Sequence, residues 1–295
     1  MKESKLRIVG CVVWYKPDEE SVNNIKTYPP FLEKVFVLDN SPEDNSALLE
    51  GLGMGDKVVY VPFLQNKGIA YALAKGVELA IEEKADYLLT MDQDSGFPTK
   101  DSPTILSWLE KKEVREEFGL LGLNYKFKKL EKELARGEII YDDGNIDSPI
   151  TSGSFINIAN YKKIKGFRVE FFIDYVDLDL NWQFKKAGFK VAYLNQILLQ
   201  HHLGSLAYKK VLWHTFTVVS HSPLRRYYQY RNLYVLYHED KKYWWPVYRD
   251  FIGKTTIKWL VFDKNRRASY KMMRRGIRDA KKGILGEYQP DEKKK

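Results

Sequence analysis

The chain has 295 residues, 44% of them hydrophobic, which is enough to bury a sizeable core and excludes wholesale disorder. Its lone cysteine, Cys11, excludes disulfide scaffolds and cysteine zinc sites, and its place in the apolar run IVGCVVW predicts a reduced, buried thiol. The net charge of +9 is unevenly placed: residues 205–295 hold 22 Lys and Arg against 8 Asp and Glu, together with 17 of the 42 aromatic residues, so an acidic body carries a basic, aromatic tail.

The opening stretch MKESKLRIVG lacks the pattern of a signal peptide, and no run of about 18 apolar residues occurs to span a bilayer. A soluble or peripheral cytoplasmic protein is expected. LRIVGCVVWY (6–15), KVFVLDNS (34–41) and KVVYVPF (57–63) read as strands. NKGIAYALAKGVELAIEEKAD then reads as a helix with Ile69, Leu73, Val77, Ala80 and Ile81 on one face, and YLLTMDQD as another strand. Strands alternating with helices imply an α/β fold with a parallel sheet covered on both faces. FGLLGLNY is a further strand, KFKKLEKELARGEIIYDDGNIDSP a charged surface loop, and TSGSFINIANYKKIKGF and FKVAYLNQILLQHHLG are strands flanking the acidic cluster FFIDYVDLDLNWQFKKAG. In the tail, Tyr227, Tyr230, Tyr234 and Tyr237 recur at helical spacing, as do Trp245, Tyr248, Ile252, Trp259 and Phe262, with other faces rich in Lys and Arg.

Ligands of such sheets sit beyond the carboxyl ends of the strands. Those ends carry Trp14 and Tyr15, Asp39 and Asn40, and Asp92, Gln93 and Asp94. Asp92 and Asp94 can hold a hard divalent cation beside a diphosphate, or can cap backbone amides in a turn. Asp39 can accept the imide N–H of uracil or thymine, or form an Asx turn before Pro42. Asn66, Lys67 and Gly68 open the helix, where Asn66 serves as an N-cap or the group meets a phosphate or ribose. Asp174, Asp177 and Asp179 lie in one short stretch; on a helix Asp174 and Asp177 share a face, where one can act as a general base or both can be solvated at a helix N-terminus. His201 and His202 end an apolar run, able to complete a metal shell or to serve a structural role.

VVWYKPD, VFVLDNS, NKGIAYALAKGVELA, YLLTMDQDS, SGSFIN, FFIDYVDLDL with KKAGF, and HHLG stand in an order that resembles the family-2 glycosyltransferases, most of all bacterial rhamnosyltransferases of polysaccharide assembly, over about residues 6–205. The resemblance implies a GT-A nucleotide-sugar-binding fold with a mixed central sheet over 1–204, followed by C-terminal amphipathic helices in 205–295. It implies that Trp14, Tyr15 and Asp39 line the base, that Asn66, Lys67 and Gly68 lie beside the nucleotide, that Asp92 lies near the ribose, and that Gln93 belongs with these nucleotide-sugar-binding residues. Asp94, with His201, would bind Mg²⁺ or Mn²⁺, and Asp177 would be the catalytic base, although Val176 stands where the family commonly has Glu. The neighbouring His202 is the alternative to His201. The implied partners are a dTDP- or UDP-sugar donor, dTDP-rhamnose first, and a glycan or polyprenyl-diphosphate-linked acceptor, with inversion at the sugar.

The basic tail can pack on the catalytic body, form a homodimer, or lie on the anionic inner face of the cell membrane. A nucleic-acid-binding protein is the rival from another class, but it leaves the aspartates without a purpose, and no nucleic acid is expected as a partner. A sugar-phosphate nucleotidylyltransferase would need a Gly-rich loop near the N-terminus, which CVVWYKPDEE lacks.

Overall fold

The computed structural model describes residues 5–125, 137–144, 148–201, 206–211, 214–219 and 221–290, of which 201 and the two strands within 206–219 are described by backbone alone. The chain divides into two compact units, Met1–Arg168 with Val176–His202, and Val169–Tyr175 with Leu203–Lys295.

The first unit is built on four parallel strands, β1 (Ile8–Trp14), β2 (Val35–Asp39), β3 (Val58–Pro62) and β4 (Tyr87–Asp92), in the order β3-β2-β1-β4. Every residue of β1 and β2 is buried, because helices cover both faces of a parallel sheet and leave no polar side to alternate with. Helix α1 (Glu19–Lys26) follows β1 and starts at a capping box between Asp18 and Ser21. Helix α2 (Ile69–Glu82) follows β3 and packs through small residues: a Cβ at Gly76 would come within 2.8 Å of the Cys11 sulfur. That close approach turns Ala70, Ala72, Leu73, Gly76, Val77 and Ala80 inward and leaves Ile81 exposed, a rotation of the face expected from spacing alone. Burial raises the Cys11 thiol far above its ordinary pKa, so it stays protonated.

Beyond β4 the sheet becomes mixed. A two-residue strand β5 (Ser95–Gly96), helices α3 (Ser102–Glu110) and α4 (Lys112–Glu117), and strand β6 (Phe118–Asn124) lead to β7 (Ile139–Tyr141) and β8 (Ser154–Asn157). The eight-stranded order is β3-β2-β1-β4-β8-β6-β9-β7, where β9 is Lys190–Leu198, and β8 runs antiparallel to both β4 and β6. Thus part of the stretch expected to be a charged loop is an edge strand, β7, while the strand expected over 151–167 is only four residues long and passes into a short helix, α5 (Ile158–Tyr161). Residues 126–136 of that loop lie outside the described residues. A last strand of this unit, β10 (Gln200–His201), pairs with β5.

Helix α6 (Val176–Lys186) lies on this sheet through the fully buried Phe184, whose ring fills the space a side chain on Gly119 of β6 would need. A Cβ there would stand 2.1 Å from the ring.

In the second unit, Leu206–Val211 and His214–Val219 form an antiparallel hairpin, β11 and β12, where only helices were expected. Both runs carry β-branched residues, which favour a pleated strand. Helix α7 (Pro223–Glu239) starts on the Ser222 cap, which accepts the Arg225 N–H at 3.2 Å, with Pro223 at its first turn. Helices α8 (Lys241–Asp250), α9 (Thr256–Phe262) and α10 (Arg266–Lys281) follow, with a π-helical turn over Phe251–Thr255. The core here contains Trp244 and Trp259, whereas Trp245 is 48% exposed, so the stripe read in the sequence is displaced at Trp245 but holds at Trp259. Cationic residues are not confined to an outer face, since Arg226 and Arg231 of α7 are buried. Gly276 admits α10 close to α7, where a Cβ would lie 2.4 Å from the Tyr227 carbonyl oxygen.

Two measurements check this packing. Gly119→Ala should destabilise the protein by about 1 to 3 kcal/mol through overpacking against Phe184, read as a lower urea midpoint. His221, just before α7, is held neutral by burial and by the charges of Arg225 and Arg226, with its pKa lowered to about 4. The unfolded chain binds a proton at His221 near pH 6.5 and the folded chain does not, so this group removes stability as pH falls from about 6.5 toward 4. His221→Phe should therefore lose less stability than the parent over that interval, with the two converging above it.

Candidate active site

Parallel pairing fixes the site. Trp14 stands opposite Asp39 and Val13 opposite Asp92, so the ends of β1, β2 and β4 fall in one row at the carboxyl edge of the sheet. At the end of β1 the backbone turns Trp14 and Tyr15 apart. The Trp14 ring is wholly buried in the core and offers no surface to a ligand, which corrects its expected place beside the base; Tyr15 is 44% exposed. The Tyr15 N–H donates to Gln93 Oε1 at 2.7 Å and Gln93 Nε2 donates to the Tyr15 carbonyl at 3.3 Å. Asn24 Nδ2 donates to the Gln93 carbonyl at 2.8 Å. Gln93 thus ties the end of β4 to the end of β1 and to α1.

Asp39 is 1% exposed and accepts three hydrogen bonds, from the Ser41 N–H at 2.9 Å, Asn45 Nδ2 at 2.8 Å and the Tyr60 hydroxyl at 2.7 Å. Burial and this carboxylate raise the Tyr60 pKa, keeping the phenol protonated as a donor. The first work of Asp39 is to anchor the 40–45 loop. Beside it, Asn40 Nδ2 donates to Asn66 Oδ1 at 3.0 Å and Asn40 Oδ1 accepts the Lys67 N–H at 2.7 Å. The N-cap of α2 is Gly68, at φ +86°, and not Asn66; Asn66 Oδ1 instead accepts the Gly68 N–H at 3.0 Å and holds the loop to β2. Lys67 lies 4.7 Å from the centre of the Tyr71 ring.

At the end of β4, Asp92 is half-buried and Asp94 exposed. The Asp92 N–H donates to Ser152 Oγ at 3.1 Å, and Ser152 donates to Ser95 Oγ at 2.7 Å, which fixes the turn carrying both acids. His201 stands opposite Ser95 in the β5–β10 pair, one residue beyond Asp94 in register. Its side chain, and all of His202, lie outside the described residues, and no group of three or more His, Cys, Asp or Glu side chains placed to hold a metal ion occurs among the described residues.

The three aspartates of FIDYVDLDL have three different fates. Asp174 precedes α6 and has φ +68°, so it shares no helical face with Asp177, contrary to the expected spacing. It pairs with Arg225 in the second unit, Nε to Oδ1 at 3.1 Å, while burial raises its pKa. Asp179 is buried, 2.9 Å from Arg168 and accepting Gln183 Nε2 at 2.8 Å. Asp177, half-buried in the first turn of α6, lines a small pocket with Thr90, Thr151, Ser154 and Asn181. Thr90 is two residues before Asp92 on β4.

Sequence reasoning missed how Val169–Tyr175 is held. Phe172, Asp174 and Tyr175 all have φ between 65° and 68°, a left-handed conformation costly to side chains with Cβ. The fully buried Arg231 donates to the carbonyls of Glu170 at 2.9 Å and Phe171 at 3.0 Å, and Asn232 Nδ2 lies 2.9 to 3.0 Å from those of Phe171, Ile173 and Asp174. Adjacent Arg and Asn on a tyrosine-rich helix was the only signal, and it reads as an ordinary polar pair.

Residues 19–117 match the family described as "Glycosyl transferase family 2". That stretch is thus similar to family-2 glycosyltransferases. It is 25% identical over 242 residues to the dTDP-rhamnosyl transferase RfbF of Shigella flexneri, covering 78% of this chain and 79% of that one. The fold is that of GT-A glycosyltransferases. The crystal structure of S. aureus TarS 1-349 in complex with UDP-GlcNAc superposes with a TM-score of 0.60 at 12% identity, covering 93% of this chain and 81% of that one. That of GalNAc-T7 with UDP, GalNAc and Mn²⁺ does so with a TM-score of 0.59 at 10% identity, covering 96% of this chain and 57% of that one.

Outside the family-2 match, the clamp on residues 169–175 is open to direct test. Asn232→Ala removes an amide whose two N–H groups serve the Phe171, Ile173 and Asp174 carbonyls, and should cost roughly 2 kcal/mol at about 1 kcal/mol per bond, read by chemical denaturation. Asn232→Asp should do no better, since a carboxylate cannot donate to a carbonyl.

Proposed function

We propose that the chain transfers a sugar, rhamnose from dTDP-rhamnose in first place, from a nucleotide diphosphate to a hydroxyl of a glycan or polyprenyl-diphosphate-linked acceptor, with inversion at the anomeric carbon. The observation that carries this reading is the shared strand edge: Tyr15, the Asp39 loop and the Asp92–Asp94 turn in one row, with Asp177 on a pocket beside Thr90. The likeness to a dTDP-rhamnosyl transferase supports the thymidine donor; the UDP complexes of the solved relatives keep UDP-galactofuranose, UDP-glucose and UDP-galactose as alternatives.

In this reading the base lies against Tyr15 and the loop that Asp39 anchors, and the Asn66–Gly68 loop borders the nucleotide. Asp92 lies toward the ribose, and Gln93 keeps that turn in register with Tyr15. An exposed carboxylate beside a half-buried one suits Mg²⁺ or Mn²⁺, which take one or two carboxylates and complete their shell with substrate phosphates. Asp94 would hold the ion, with His201 the candidate for a further ligand. When bound, the metal offsets negative charge on the diphosphate.

Asp177 takes the proton from the acceptor hydroxyl. The hydroxyl oxygen bonds to the anomeric carbon from the face opposite the diphosphate, the bond from that carbon to the diphosphate oxygen breaks, and the electron pair leaves with the nucleotide. Asp179, two residues on, is held by Arg168 and Gln183 and takes no part.

With dTDP-rhamnose and Mg²⁺ or Mn²⁺, Asp177→Asn should lower kcat by about 10² to 10⁴-fold while leaving donor affinity nearly unchanged. Asp94→Ala should weaken both donor affinity and turnover. Full transfer activity in Asp177→Asn would remove Asp177 from the role of base.

A further inference from the structure

Helix α10 has two unlike faces. Ser269, Gly276 and Asp279 are buried, and Asp279 accepts the Tyr227 hydroxyl of α7 at 3.0 Å. Lys271, Arg274, Arg278 and Lys281 are exposed. The helix carries seven Lys and Arg and a single acid, Asp279, so its exposed charge is entirely positive. Between α10 and the start of α7 lies a groove whose walls include those four cations with Leu224 and Tyr270, and no carboxylate is among its lining residues. Arg275 builds one wall by donating to the Tyr288 hydroxyl at 3.1 Å and the Gln289 carbonyl at 2.7 Å.

We propose that this groove and the outer face of α10 seat the second unit on an anionic lipid bilayer, with the helix in the plane of the interface. Charge complementarity selects an anionic partner. The apolar groups select a lipid surface over a nucleic acid: Leu224 is 42% and Tyr270 45% exposed amid the cations, where they gain from the headgroup and acyl boundary but not from a phosphate backbone. An in-plane seat is the mode that suits the unit, because no helix among the described residues is long and apolar enough to cross a membrane. The inference is independent of the transfer chemistry and survives or fails without it.

The test is co-sedimentation of the full chain with vesicles of phosphatidylcholine alone or mixed with phosphatidylglycerol. Binding should require phosphatidylglycerol and weaken as salt rises. Lys271→Gln/Arg274→Gln/Arg278→Gln, all at exposed positions, should lower the partition coefficient by about 10²-fold, at roughly five-fold per cation. Leu224→Ser should weaken binding that remains at higher salt. Equal binding to both vesicle types, or an unchanged partition in the triple variant with an unchanged melting temperature, would overturn the proposal. So would release from the vesicles by duplex DNA or by inorganic diphosphate at concentrations that leave ionic strength unaltered, the first indicating a nucleic-acid surface and the second a soluble-anion site.

Discussion

The parallel register of β1 with β2 and β4 is the constraint on which the rest depends. It sets Trp14 opposite Asp39 and Val13 opposite Asp92, and so brings together groups that are 25 to 80 residues apart in the chain. A slip of one residue would send each side chain to the opposite face of the sheet. Burial of every residue in β1 and β2 prevents that slip, since each strand is covered on both faces. The polar groups past the strand ends then lock the loops to one another: Gln93 to Tyr15, Asp39 to Asn45 and Tyr60, Asn40 to Asn66 and Lys67. The edge is preorganised before any ligand arrives, which is what a site for a charged, flexible nucleotide sugar requires.

The acidic stretch FIDYVDLDL shows how one sequence feature is divided by its surroundings. Three carboxylates within six residues would repel one another on a single helical face. Asp174 pairs with Arg225, Asp179 pairs with Arg168, and Asp177 lies in the first turn of α6 beside the pocket with Thr90. Left-handed backbone at Phe172, Asp174 and Tyr175 is the strained link that makes this division, and it is held by Arg231 and Asn232.

Much of this was legible in the sequence because central parallel strands advertise themselves as continuous apolar runs. The expected strands at 6–15, 34–41, 57–63 and YLLTMDQD correspond to Ile8–Trp14, Val35–Asp39, Val58–Pro62 and Tyr87–Asp92. What was not legible depends on long-range contacts. Spacing could not say that Trp14 turns inward while Tyr15 stays out, or that Gly76 and Cys11 would rotate α2 and expose Ile81. Local pattern likewise could not show that β7 would be recruited as an edge strand, that Trp244 rather than Trp245 would enter the core, or that Asp174 would leave the helix. Each of these is decided by a partner far along the chain.

The central claim is that the carboxyl edge of β1, β2 and β4 is a nucleotide-sugar site. Its most direct test is the melting temperature of the full chain against a panel of dTDP- and UDP-sugars, each with Mg²⁺, with Mn²⁺ and with a chelator. A rise is expected with dTDP-rhamnose, dependent on the metal and lost in Asp94→Ala, because a ligand that binds only the folded state stabilises it. No rise with any donor in the presence of either metal would contradict the claim.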